Sequence, residues 1–158
     1  MPQVIASEVF ESTLTLLKET FEGAQGPSTY YLDNAPGGGF IGTLESVDAE
    51  RASRPISRSG ATIAGHAHHA GFHLDMTSDW IRGDRGDRDW KQSWSVRSVD
   101  EREWRRLRDT LRRQYDELLR AIEAEPSAIG ESLPTTLAAI AHAAYHLGTI
   151  RHALAAEA

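Results

Sequence analysis

The stretch Asp100–Ala124, DEREWRRLRDTLRRQYDELLRAIEA, decides the fold class of this chain. Its apolar residues recur three or four positions apart, which aligns them along one face of an α-helix. Asp100 and Glu103 have the spacing of a capping box, so we expect the helix to begin there. The intervening arginines alternate with acidic residues, which predicts a solvated face. The predicted buried stripe comprises Trp104, Leu107, Leu111, Leu118 and Ile122.

Three other segments carry helical patterns, and no strand pattern of useful length is present. The last of them has no Asp, Glu, Lys or Arg between Leu133 and Ile150, so we expect burial on more than one side. Together the helices predict an all-α four-helix bundle with a long crossover connection, formed by a single domain over residues 1–158. The three segments are about Pro2–Glu22, Ala61–Ile81 and Leu133–Ala155.

Two long connections join the predicted helices. The first, Ala24–Gly60, contains glycine and proline breakers, and Phe40–Arg51 within it could form a short helix. The second carries Trp90 and Trp94, which we expect to fold back over apolar surface. Pro126 is expected to end the third helix.

The composition limits the classes of function. With 158 residues, 40% of them apolar, the chain can bury one core without cross-links. The absence of cysteine excludes disulfides, thiolate metal sites and a cysteine nucleophile. A formal net charge of −6 argues against nucleic acid as a partner. We see neither a signal peptide nor an apolar run of membrane length, so we expect a cytoplasmic protein with no membrane partner.

The histidines are the most informative residues, and they fall mainly into two groups. His142 and His146 lie four residues apart, so on a helix their rings project side by side and can share one ion. The same arithmetic places His66, His69 and His73 on one face of the second helix. If the two faces meet, three nitrogens converge on one divalent metal ion, and an open fourth position would be typical of a catalytic site. Imidazole ligands suit zinc, nickel, iron or copper, and of these we expect zinc or nickel.

A purely structural interpretation of the histidines is the alternative. A single His-x-x-x-His pair is weak evidence, because buried histidines often only hydrogen-bond their neighbours. Several buried imidazoles without an ion would, however, leave ring nitrogens short of partners, which is costly. No Glu follows His142, so this segment is not the helix motif of the zinc proteases.

Three stretches of the chain resemble the DinB/YfiT-like family of bacterial proteins. They are Thr62–His69 (TIAGHAHH), Asp89–Trp94 (DWKQSW) and His142–Arg151 (HAAYHLGTIR). The last is the most specific, because the fourth helix of that family typically carries His-x-x-x-His-x-Gly-x-Ile. The resemblance implies a four-helix bundle with a long first crossover, often assembled as a dimer.

The resemblance also implies a metal site with three histidine ligands, which map onto His69, His142 and His146. His66 lies one turn before His69 on the same face and is the alternative ligand from the second helix. Many members carry a larger apolar residue where this chain has Ala70, which leaves the choice between these two histidines open.

Two functions follow as expectations. Relatives in the family include hydrolases and also transferases and isomerases that use low-molecular-weight thiols, so the first is a metal-dependent enzyme with a small-molecule substrate. Any thiol must come from outside, since the chain has no cysteine. His66 or His73 could act as general base and Tyr145 could position the substrate, unless they only pack or support the ligands.

The second function is a non-catalytic protein of the stress response that binds a metal or a small molecule. In either case the small alanines of the fourth helix would permit close approach of a second subunit, so a homodimer is expected.

Overall fold

The computed structural model describes residues 2–124 and 129–156, with side chains over 7–124 and 132–156. Within these ranges the protein is all-α, and its nearest approach to a strand is one antiparallel bridge between Pro55 and Thr62. The predicted helix end at Pro126 lies outside the described residues. The helices are α1 (Pro2–Glu22), α2 (Phe40–Glu45), α3 (Ala49–Ala52), α4 (Ile63–Ile81), α5 (Glu101–Ala124) and α6 (Ile129–Ala156), and Gln92–Trp94 forms a 3-10 turn.

The central element is α4, which packs against both α5 and α6. Helix α1 packs against α6, and the short α2 contacts α1, α5 and α6. The buried core is continuous across these contacts. Phe21 of α1, for example, stacks on Phe40 of α2 and on Tyr115 of α5, with ring centroids 5.7 and 4.8 Å apart. Because α4 lies against α6, the two helices that carry the grouped histidines are neighbours.

Helix α5 follows the sequence prediction closely. The backbone N–H of Asp100 donates to Glu103 Oε2 at 2.9 Å, and that of Glu103 donates to Asp100 Oδ1 at 2.7 Å, which confirms the capping box. The predicted stripe is buried, apart from Leu107, which is partly exposed. Most of the arginines are exposed, and Arg112 pairs with Glu45 at 2.8 Å. The solvated face is therefore confirmed.

Two boundaries differ from the prediction. The short helix expected over Phe40–Arg51 is interrupted into α2 and α3, because Asp48 starts a new helix by accepting the N–H of Arg51 at 2.8 Å. Helix α6 begins at Ile129, before the predicted start at Leu133, and therefore contains Pro134. The ring of Pro134 is exposed, and the proline costs the helix one backbone hydrogen bond.

The long crossover after α1 is anchored by one buried carboxylate. Glu19 is 3% exposed, and it accepts the backbone N–H groups of Tyr30, Tyr31 and Leu32 at 2.8, 2.9 and 2.9 Å. Burial alone would raise the pKa of Glu19, but the three donors outweigh it and the pKa is lowered. None of the described helices has the length and apolar character that crossing a bilayer requires.

Candidate metal centre

Three imidazoles from α4 and α6 converge at one point. Nε2 of His142 lies 3.0 Å from Nε2 of His69 and 3.1 Å from Nε2 of His146. One nitrogen of each ring lies within 4.8 Å of the other two, so the three could hold a metal ion. Two nitrogens bound to one zinc at tetrahedral angles would be about 3.3 Å apart, which is close to these separations. The predicted convergence of His69, His142 and His146 is confirmed.

Local structure explains why these rings meet. His142 and His146 are one turn apart on α6 and therefore share a face. Four alanines within one turn of these histidines are almost fully buried and have little side-chain volume, which lets α4 and α6 pack closely. These are Ala67, Ala70, Ala139 and Ala143.

A buried serine sets the proton position on His69. Nδ1 of His69 lies 2.8 Å from Oγ of Ser93, whose own hydroxyl donates to the carbonyl of Trp90 at 2.7 Å. A hydroxyl has only one proton to donate, so Ser93 must accept the proton on His69 Nδ1. Nε2 of His69 therefore carries a free lone pair at the point of convergence.

In the neutral cluster the three converging Nε2 atoms share a single proton. Because Nε2 of His69 is bare, its 3.0 Å contact with His142 is favourable only if Nε2 of His142 carries a proton. The same N–H faces Nε2 of His146 at 3.1 Å, so that nitrogen is bare as well. One N–H thus serves two acceptors. Nδ1 of His142 is buried and has no hydrogen-bond partner in the described part of the chain.

His66 supports His146 and does not join the converging nitrogens. Since Nε2 of His146 is bare, its Nδ1 carries the proton and donates to Nδ1 of His66 at 2.7 Å. Both rings are nearly buried, at 6% exposure for His66 and 3% for His146. Of the two candidate ligands on α4, the structure therefore brings His69 to the point of convergence and places His66 behind it.

Burial keeps the cluster uncharged. It lowers the pKa of His69 and His142 to about 4, and repulsion from neighbouring imidazoles adds to the effect. The same two causes lower the pKa of His146 to about 3. Burial also lowers the pKa of His66 and His73. At neutral pH a metal ion would therefore meet neutral rings and would not have to displace protons from charged ones.

The loop that carries Trp90 and Trp94 covers one side of the cluster. Trp94 stacks on His69 with ring centroids 4.3 Å apart, and Trp90 lies 5.4 Å from Phe72. A Cβ at Gly65 would lie 3.0 Å from the carbonyl oxygen of Val96, so glycine is what allows the loop to lie this close to α4. The loop folds back as predicted: Trp90 lies on the apolar ring of Phe72, whereas Trp94 covers an imidazole.

The remaining sequence candidates lie at the edge of the cluster. The ring of His73 stacks on His142 at 4.3 Å, and its buried Nδ1 has no hydrogen-bond partner among the described residues. Tyr145 contacts the ring of His146 at 5.1 Å but is 69% exposed, so its hydroxyl end faces outward from α6. Their catalytic roles remain predictions.

Sequence reasoning missed Ser93 and His68. The carbonyl of Ser93 lies 2.8 Å from Nδ1 of His68, so two adjacent histidines of α4 hold the same loop residue. No sequence signal marks a serine between two tryptophans as a partner of His69. The histidine doublet His68-His69 was the available hint, since consecutive helical residues point in different directions and His68 could therefore meet a different segment from His69.

Comparisons with known proteins did not assign this chain to a family. The chain gave no match to models of known families, to curated proteins or to solved structures. The functional argument therefore rests on the residues of this chain.

Proposed function

We propose that this protein is a divalent-metal-dependent enzyme of the DinB/YfiT-like type that acts on a small molecule, with a low-molecular-weight thiol as cosubstrate. The observation that carries the proposal is the proton shortage at the cluster. His69 and His146 present bare Nε2 atoms on either side of His142, whose single N–H they share. A divalent ion would satisfy all three nitrogens once the proton of His142 moves to its unpartnered Nδ1.

The chain supplies specific groups around such an ion. His69, His142 and His146 would hold it, and neutral imidazoles suit zinc or nickel. A bound ion would supply Lewis acidity that lowers the pKa of a thiol or a water. His73 offers an unpartnered nitrogen that can accept a proton, which fits a general base. Trp94 covers His69 and would limit access of bulk water to that side.

The four-helix bundle of this family and its dimer belong to the same proposal. The four long helices and the crossover held by Glu19 support the fold. The outer face of α6 supports a homodimer, because Leu137 and Tyr145 are 43% and 69% exposed. No charged residue occurs along α6 between Leu133 and Ile150. Sedimentation at micromolar concentration should give the dimer mass, and a monomer would remove this part. A cytoplasmic location stays a prediction from the sequence.

The direct test is metal content combined with turnover. Untagged protein purified without chelator should contain about one zinc or nickel per chain by mass spectrometry, whereas His146→Ala should contain little. The loaded protein should then consume a low-molecular-weight thiol in the presence of electrophilic substrates. A protein that binds no divalent metal, or for which His146→Ala binds it equally well, contradicts the proposal.

One observation favours the non-catalytic alternative. His146 is 3% exposed and Trp94 stacks over His69, which would suit a sealed ion that only stabilises the fold. Cobalt-loaded protein distinguishes the two functions. If a small exogenous thiol or azide changes the visible cobalt spectrum, the ion has an exchangeable position, as an enzyme requires. An unchanged spectrum, together with a large gain in thermal stability on metal binding, would favour the alternative.

A further inference from the structure

A cleft opens beside the histidine cluster. Its volume is about 220 Å³, and Trp94 forms part of its wall. The indole of Trp94 also stacks on His69 at 4.3 Å and lies 5.9 Å from the ring of His146. Trp94 therefore borders both the cleft and the histidine cluster. The cleft is lined by Ser59, Gly60, Ala61, Thr62, Gly65, Trp94, Val96 and Arg97.

Arg97 is the single charged residue in this lining. It is exposed and makes no ion pair or hydrogen bond with any residue that the structure describes. A guanidinium nitrogen would lie 3.7 Å from a Cβ built on Gly60, which places the cation over the backbone at the cleft wall. What distinguishes Arg97 is its position in the wall of a concave site, where its guanidinium is available to an anion.

The neighbouring cleft does not share this charge pattern. Its volume is about 440 Å³, and it shares Val96 and Arg97 with the first. It also contains Arg106 and Glu103, whose charges oppose each other. In the cleft that borders Trp94, by contrast, no carboxylate among the lining residues competes for Arg97.

We propose that the cleft between Trp94 and Arg97 binds a carboxylate-bearing thiol, with the carboxylate on Arg97, the hydrocarbon portion against Trp94 and the sulfur toward His69, His142 and His146. This inference rests on the proposed function and specifies the charge of its cosubstrate. Guanidinium and carboxylate form charge-assisted hydrogen bonds, and an indole wall favours an apolar spacer between the two ends. The length of that spacer is what the experiment measures.

The test uses cobalt-loaded protein and matched pairs of thiols. Mercaptopropionate, mercaptohexanoate and mercaptooctanoate are each compared with the neutral mercaptoalcohol of the same chain length, and binding is followed by the cobalt–thiolate absorption band. At one chain length the carboxylate should bind about fivefold to tenfold tighter than the alcohol, the gain expected for one charge pair near the surface. Arg97→Gln should erase that preference without changing the affinity of the alcohol.

Arg120→Gln is the matched control, since it removes the same charge from an exposed position on α5 and should leave the preference intact. If no chain length favours the carboxylate, or if Arg97→Gln keeps the preference, the inference is overturned while thiol binding itself stands. If no thiol binds at any length, the thiol part of the proposed function fails instead.

If no thiol binds, a metal-independent experiment still tests whether the cleft binds an anion. Hexanoate is titrated into ¹⁵N-labelled protein, with hexanol as the neutral control, and the side-chain N–H signals of Arg97 and Trp94 are followed. Hexanoate should shift both signals at concentrations where hexanol shifts only that of Trp94. Failure of hexanoate to move the Arg97 signal overturns the anion site regardless of the thiol result.

Discussion

Two buried polar sites of this protein satisfy their hydrogen bonds to very different degrees. At Glu19, three backbone N–H groups donate to the two carboxylate oxygens at 2.8–2.9 Å. At the histidine cluster, one N–H of His142 is shared between two acceptors, and Nδ1 of His142 has no partner among the described residues. Folded proteins satisfy nearly all buried polar groups, and departures concentrate at functional sites. We infer that Glu19 is an anchor and that the cluster retains capacity for a ligand.

The largest expected effect comes from removing a converging imidazole. His142→Ala should weaken binding of zinc or cobalt by more than about a hundredfold, because loss of a ligand exceeds the 10- to 100-fold effect typical of its hydrogen-bond partners. Competition with a chromophoric chelator measures the affinity. His152→Ala, an exposed histidine on the same helix, is the control and should bind metal normally. If the two variants bound metal with equal affinity, the histidine cluster would not be the metal site, and its contrast with the Glu19 site would fail.

A substitution at Glu19 tests the structural role of that carboxylate. Glu19→Gln should lower the free energy of unfolding by about 2 kcal/mol, because an amide cannot accept all three backbone N–H groups and a buried donor is left unsatisfied. Urea denaturation measures this loss, and the metal affinity measured on the same sample should not change. A large fall in metal affinity would mean that the two sites are coupled and that the contrast between them is too simple.

A smaller effect is expected at the residue that orients His69. Ser93→Ala leaves the Nδ1–H of His69 without its acceptor, so the Nε2 lone pair is no longer fixed at the centre. Metal affinity should fall by about 10- to 100-fold, the range found for such supporting partners. Ser95→Ala, an exposed serine next to the same loop turn, provides the comparison. If both serines behave alike, the hydroxyl of Ser93 does not set the tautomer.

The free energy of unfolding of the metal-free protein should fall progressively as the pH is lowered from neutral. The pKa values of His69, His142 and His146 are lowered to about 4, 4 and 3, whereas unfolded histidines titrate near 6.5. Between these values the unfolded state binds more protons, so stability is fully present above pH 6.5 and is lost as the pH falls through 4.

Urea midpoints at pH 7, 6, 5 and 4 measure this loss. Glu19 also destabilises the fold when it is protonated, because its pKa is lowered as well. That loss of stability should begin only when the pH falls below the ordinary pKa of a glutamate. His142→Gln should show a shallower decline between pH 6.5 and 4 than the unchanged protein. A decline of the same steepness would indicate that His142 is not held neutral by burial.

Much of the local structure could be predicted because its causes are local. The capping box of α5, its buried stripe and the four long helices follow from residue spacing along one segment. The split at Asp48 did not follow from the periodicity, because one hydrogen bond from the Arg51 backbone to the Asp48 side chain starts a new helix inside the apolar pattern. The early start of α6 before Pro134 was missed because a proline is the usual sign of a first turn.

The sequence by itself determined that two helices would each carry a histidine face, since a helical period of 3.6 residues fixes which side chains share a side. It could not determine how far each helix is rotated, which is set by the packing of α4 against α5 and α6. That rotation brings His69 to the converging nitrogens, places His66 against His146 and turns His68 to the loop. Ser93, which lies on a different segment, then fixes the proton of His69 through a contact that exists only in the folded chain.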